Sequence, residues 1–77
     1  MAIEQMNIAR TLAILRQMAQ GKRLKLPDGH EIAMAEDMTI GFVVEIRGQE
    51  GVSQMSEMTL RELDQLLTAN HISFPIP

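Results

Sequence analysis

The stretch LKLPDGHEIAMA, residues 24–35, decides the fold, because a turn signal separates two runs of alternating side chains. Proline presets the first central turn position, aspartate suits the second, and glycine accepts a left-handed backbone. Pro27-Asp28-Gly29 therefore predicts a three-residue hairpin loop with a glycine bulge. The loop sets a register that groups apolar side chains on one face and opposite charges on the other, pairing Leu26 with His30, Lys25 with Glu31 and Leu24 with Ile32.

The following stretch has the most regular alternation in the chain and predicts a third strand over residues 38–47. Its buried face consists of Met38, Ile40, Phe42, Val44 and Ile46. Its outward face begins with Thr39, Gly41 and Val43, which with Ala33 and Ala35 predict a small, weakly polar surface of the kind that a partner covers. We expect a turn near Glu36-Asp37, and a bulge or an odd loop there would keep Ile32 on the buried face.

Helices are predicted on both sides of these strands. The first covers about residues 4–20 and ends at Gly21; Asn7 can serve as its N-cap, or the helix starts one turn earlier. Its predicted buried stripe is Ile8, Leu12, Leu15, Met18 and Ala19. The second begins with the capping box Thr59 to Glu62 and ends near Asn70. Its buried side chains are predicted to be Leu60, Leu63, Leu66 and Leu67.

The element order therefore predicts one α+β domain over residues 1–77. A small antiparallel sheet of three to four strands is flanked by an N-terminal and a C-terminal helix. Residues 52–55 are expected to be a short edge strand or irregular, and His71 to Phe74 a last extended piece. A 77-residue chain buries only about 60–65 % of its unfolded surface, so we also expect a homo-oligomer, a dimer or larger.

The composition limits the chemistry that this chain can perform. It has no cysteine, tryptophan or tyrosine and only two histidines, and it lacks the ligand spacings of zinc and calcium sites. We therefore expect no catalytic residues, no metal and no cofactor. The two phenylalanines offer little for base stacking, so nucleic acid is not the expected partner. No apolar run has the length of a membrane span, and we expect a cytoplasmic protein.

The formal charge of −3 is unevenly distributed. Residues 1–27 hold five cations against one acid, +4, whereas residues 28–77 hold two cations against nine acids, −7. Three of the cations cluster where the first helix meets the first strand: Lys22, Arg23 and Lys25. Such a cluster can bind a phosphate or carboxylate. Two alternatives stay open: an edge strand kept soluble by its cations, or pairing of the two halves.

The stretch TLAILRQMAQGKRLKL, residues 11–26, resembles the opening of small phage- and prophage-encoded proteins, in which an amphipathic helix ends in Gly-Lys and runs into a strand. The Thoeris anti-defence family looks similar here, and its members sequester cyclic ADP-ribose-type signals in oligomers. The resemblance implies that Lys22, Arg23 and Lys25 contact phosphate.

Two functions from different classes are compatible with these patterns. The first is a non-catalytic, phage-type binding module that sequesters a small anionic or nucleotide-derived ligand. Its candidate ligand-binding residues are Lys22, Arg23, Lys25, Thr39 and Arg47. The second is an inhibitor or adaptor that blocks a host protein through the acidic stretch from Glu45 to Asp64.

Overall fold

The sheet has four antiparallel strands in chain order, and a helix stands at each end of the chain. The computed structural model describes residues 6–37, 41–48 and 50–77. The elements are α1 Ile8–Ala19, β1 Leu24–Lys25, β2 Glu31–Asp37, β3 Phe42–Arg47, β4 Ser53–Met58 and α2 Leu60–Ala69. Neighbouring strands pair in the order β1-β2-β3-β4. The predicted α+β fold is confirmed.

The hairpin between β1 and β2 has the predicted register. Leu24 lies opposite Ile32, and Lys25 lies opposite Glu31. The Leu26 N–H donates to the His30 carbonyl at 2.8 Å, which closes the loop. Local turn chemistry was therefore sufficient to set the pairing of this hairpin.

The sheet beyond this hairpin differs from the prediction at two points. β2 continues through Asp37 instead of turning at residues 36–37. Of the two predicted alternatives, an odd loop or a bulge, the bulge is present: Met34 pairs with Val44 while Glu36 pairs with Val43, so one residue is absorbed between them. The predicted start of the third strand, residues 38–40, lies outside the described residues. β4 extends to Met58, well past the expected end.

The helix-facing side of the sheet forms the core together with both helices. Its most buried side chains are the even-numbered residues Leu24, Ile32, Phe42 and Val44. The helices contribute Ile14, Met18, Leu63 and Leu67. The predicted even-numbered face of the sheet is therefore the buried one.

The predicted buried stripe of α1 was wrong in part: Met18 is buried and Leu15 packs against the core, but the two ends of the stripe are exposed. Ile8 is 54 % exposed and Ala19 is exposed, whereas the buried residues are Thr11, Ile14 and Met18. The cause is a contact with α2, because the Thr11 hydroxyl donates to Asp64 Oδ1 at 2.8 Å. This hydrogen bond satisfies a polar group in the core and turns that side of the helix inward.

Both helices begin and end at the predicted signals. The Asn7 side chain accepts the Arg10 N–H at 3.2 Å, and Thr59 and Glu62 form the reciprocal capping box. α1 ends in a Schellman motif in which the Lys22 N–H donates to the Gln17 carbonyl at 3.0 Å. α2 ends in the same way, with His71 in the left-handed conformation at φ 57°.

The open side of the sheet, which faces away from the helices, is more highly charged than predicted. Ala33 lies opposite Glu45, and Val43 lies opposite Glu57. These carboxylates come from the same alternation that places the apolar residues inside. The expected weakly polar surface was therefore wrong for this part of the sheet.

Two glycines with nearly the same positive φ provide a matched test of how closely Gly41 packs against the end of β4. Gly41 has φ +81° and Gly51 has φ +80°. A Cβ at Gly41 would lie 2.6 Å from the Met58 carbonyl oxygen, whereas one at Gly51 meets nothing within 4 Å. We expect Gly51→Ala to cost about 1 kcal/mol from backbone strain. Gly41→Ala should cost about 2 kcal/mol more, because the backbone of β4 must shift. Urea unfolding of both variants measures the difference, and equal costs would contradict this packing.

Candidate ligand-binding cleft

A cleft of about 660 Å³ opens between the end of α1, β1 and the C-terminal segment. One wall, here called the cationic wall, consists of Lys22, Arg23, Leu24 and Lys25. The other, here called the apolar wall, consists of Ile72, Phe74, Pro75, Ile76 and Pro77. The volume lies within the range of about 300–1,000 Å³ that is common for small-molecule sites.

The structure brings together three of the five predicted ligand-binding residues. Lys22, Arg23 and Lys25 all lie on the cationic wall. Arg47 does not line the cleft; it lies on β3 opposite Glu31, with Nη2 3.8 Å from Glu45 Oε1. Thr39 lies outside the described residues.

The cations of the cleft are accessible to an anion. Arg23 Nη1 lies 3.7 Å from Glu31 Oε1, and the Arg23 side chain is 45 % exposed. An exposed pair of this length contributes little, so the guanidinium can still bind a second anion. Among the described residues, no carboxylate lies within 4 Å of the Lys22 or Lys25 ammonium. Both lysines are exposed.

Gln17 connects the two walls. Its backbone carbonyl accepts the Lys22 N–H at the start of the cationic wall. Its side-chain amide donates to the Ile76 carbonyl at 2.6 Å and accepts the Ile76 N–H at 2.7 Å. One residue on the last turn of α1 therefore sets the separation between the cations and the apolar wall.

Arg10 attaches the start of the C-terminal segment. Its Nη1 donates to the Ile72 carbonyl at 2.7 Å, while its Nη2 donates to Asp64 Oδ1 at 2.7 Å. The side chains of Arg10 and Asp64 are 8 % and 6 % exposed. The guanidinium thus joins α1, α2 and the segment that follows α2.

Asp64 is held as a carboxylate by its surroundings. Burial by itself favours the protonated acid, but hydrogen bonds from Thr11 Oγ1, Arg10 and the Asn7 N–H, together with the Arg10 charge, outweigh it. The pKa of Asp64 is therefore lower than that of an ordinary aspartate.

The apolar wall was not predicted from the sequence. His71 to Phe74 was expected to be extended, but no strand forms there, and the segment is held by side chains of α1. The available signal was an apolar tail without a helical or strand period, interrupted by Pro75 and Pro77. Phe74, 78 % exposed, is the aromatic ring of this wall.

Other polar clusters have structural roles. His30 Nδ1 lies 2.9 Å from Asp28 Oδ1, and the His30 N–H donates to the same oxygen at 2.9 Å. The backbone hydrogen bond from His30 is the largest cause of the lowered pKa of Asp28, and the side-chain bond adds to it. Both bonds stiffen the hairpin loop. Within residues 6–37, 41–48 and 50–77, no three metal-ligating side chains come together. In the same residues, no helix has the length and apolar content to cross a bilayer.

Comparison of the chain with family models, with curated proteins and with solved structures found no match. The inference of function therefore depends on the cleft.

Replacing Asp64 by asparagine should destabilise the fold and alter its response to acid. Removal of one partner from a buried ion pair costs about 3 kcal/mol. Because the folded-state pKa is lowered, the stabilisation is present above the unfolded pKa and is lost as pH falls through the folded value. Urea unfolding between pH 7 and pH 2 should show a shallower acid limb for Asp64→Asn than for the wild type. The exposed Glu50→Gln provides the control, and an equally steep acid limb in Asp64→Asn would contradict the assignment.

Replacing Gln17 by leucine should release the apolar wall while keeping the helix. The variant loses both hydrogen bonds to Ile76, at a cost of about 1–2 kcal/mol. Hydrogen exchange of the Ile76 amide should become faster by at least tenfold. Gln65→Leu, at an exposed position of α2, should leave that exchange rate unchanged. Retained protection in Gln17→Leu would show that another contact holds the segment.

Proposed function

We propose that this protein is a non-catalytic binding module that sequesters a small anionic ligand with a planar or apolar part, such as a nucleotide-derived signal. The observation that carries the proposal is the cleft itself. Three cations stand on one wall, and an exposed aromatic ring with apolar neighbours stands on the other.

The two walls suit different parts of one ligand. A guanidinium binds phosphate oxygens through two parallel hydrogen bonds, and an ammonium adds a point charge of adjustable position. Arg23, Lys22 and Lys25 can therefore contact a phosphate or diphosphate. Phe74 and the prolines next to it offer a surface for a flat ring, since aromatic stacking tolerates different bases. A ligand with an anionic and a planar end would contact both walls at once.

The resemblance of residues 11–26 to phage-encoded anti-defence proteins supports the same assignment. The cationic wall lies in the last part of that stretch, which is where the resemblance implies phosphate contacts. Sequestration requires a binding site and no reacting groups, which agrees with the side chains that line the cleft. We therefore assign this protein a sequestering role in a phage or prophage, in the cytoplasm of the host.

The alternative, an acidic surface that blocks a host protein, receives less support from the side-chain contacts. Asp64 is buried against Arg10, and Glu62 is engaged in the capping box of α2. These two carboxylates are therefore occupied within the fold.

The proposal is tested by calorimetric titration with cyclic ADP-ribose and, separately, with inorganic pyrophosphate. Arg23→Glu and Lys25→Glu should each weaken binding of both compounds at least tenfold, because each variant reverses a phosphate-binding charge. Phe74→Ala should weaken binding of cyclic ADP-ribose and leave that of pyrophosphate unchanged. All three positions are exposed, so the variants should fold normally.

Arg61→Glu is the matched control, because it reverses an exposed positive charge on α2 away from the cleft. Its affinity should equal that of the wild type. The proposal fails if Arg23→Glu and Lys25→Glu bind as tightly as the wild type. It also fails if Arg61→Glu weakens binding by the same factor, since a general charge effect would then explain all three.

A further inference from the structure

The outer edge of β4 is long and exposed, unlike the edge at β1. β1 has two residues, and the cleft lies against it. β4 has six residues, four of which are exposed, and the described residues place no strand on its outer side. The apolar side chain of Met55, at its centre, is 65 % exposed. Long exposed edges of this kind pair readily with another strand.

The backbone groups that point outward can be assigned from the register. The Gly48 N–H donates to the Val52 carbonyl at 2.9 Å, just before β4 begins. Antiparallel pairs alternate, so the even residues of β4 bond to β3, whereas the N–H and C=O groups of Ser53, Met55 and Glu57 point away from it. The side chains of these three residues lie on the open side of the sheet.

We propose that a second copy of this chain pairs its β4 antiparallel with this edge, about a two-fold axis at Met55. Side chains on one face must pair with one another, so odd residues face odd residues across the new interface. Met55 then packs against Met55 of the partner subunit. Ser53 lies opposite Glu57 of the partner subunit, and no two like charges face each other.

The charges on the open side of the sheet favour this register. Arg47 lies opposite Ser53 in the β3–β4 pair. Its Nε is buried, has no hydrogen-bond partner within the described part of the chain, and belongs to a guanidinium only loosely paired with Glu45 at 3.8 Å. In the dimer, Glu57 of the partner subunit reaches Arg47 across the small Ser53 side chain. The two-fold axis creates this contact twice.

Two neighbouring registers also satisfy the face rule. A register centred on Gln54 places Met55 opposite Ser53 of the partner subunit, so the two Met55 side chains no longer pack together. The other is centred on Ser56. It places Met55 opposite Glu57 of the partner subunit, which sets a carboxylate beside an apolar side chain. It also moves that carboxylate away from Arg47. The Met55-centred register therefore buries the exposed apolar side chain and pairs the charges. The resulting dimer has an eight-stranded sheet with one cleft at each outer edge. The dimer proposal therefore does not depend on what the cleft binds.

Cysteine cross-linking tests the register directly, because the natural chain has no cysteine. Met55→Cys should form a disulfide-linked dimer under mild oxidation, since hydrogen-bonded partners stand about 5.5 Å apart between Cα atoms. Ser53→Cys alone should remain uncross-linked, because the two cysteines would be roughly 13 Å apart along the strands. A mixture of Ser53→Cys and Glu57→Cys should cross-link after subunit exchange.

Sedimentation of the cysteine-free protein tests the dimer itself. The wild type should sediment as a dimer at micromolar concentration, and Met55→Lys should raise the dissociation constant at least tenfold, because it places two like charges on the axis. Ile8→Lys, at another exposed apolar position, should dimerise like the wild type. Circular dichroism checks that both variants fold. A monomeric wild type, or cross-linking of Ser53→Cys as fast as that of Met55→Cys, would overturn the proposal.

Discussion

Asp64 accepts three hydrogen bonds on one carboxylate oxygen, and all three donors belong to the start of α1. The rest of the structure depends on this arrangement. It rotates α1 so that Thr11 faces the core, and it supplies a negative charge where the helix N-terminus favours one. It also orients Arg10, which reaches the Ile72 carbonyl. A buried ion pair is costly to desolvate, so its chief effect is to select one packing of the two helices.

The cleft follows from that packing. Once Arg10 directs the chain away from the end of α2, the C-terminal segment runs back along α1, where the Gln17 amide pairs with Ile76. This places an apolar wall opposite the cations that follow α1. The cations themselves come from a local sequence pattern, but a charged cluster without a facing surface would attract anions with little selectivity. The apolar wall adds a contact surface that can select ligands by shape as well as by charge.

The two edge strands of the sheet differ in length and exposure. The proposed ligand site and the proposed dimer contact therefore lie at different edges. β1 is short and lies against the cleft, where we propose that the ligand binds. β4 is longer and exposed, with alternating backbone groups directed outward. A chain of this size has a small core, and added sheet pairing is one way to strengthen it. Ligand and second copy would therefore use opposite edges of the sheet.

The sequence by itself determined the features that depend on neighbouring residues. The register of the first hairpin, the capping box of α2, the ends of both helices and the clustering of Lys22, Arg23 and Lys25 could all be predicted, because their interacting groups lie within a few positions of one another. The inward orientation of Thr11 on α1 could not be predicted, nor could the apolar wall or the isolation of Arg47 from the cleft. The contacts that decide the first two join residues 53 to 62 positions apart, such as Thr11 with Asp64 and Arg10 with Ile72. Only tertiary structure determined these features, because a polar side chain can be buried only where a distant partner satisfies it.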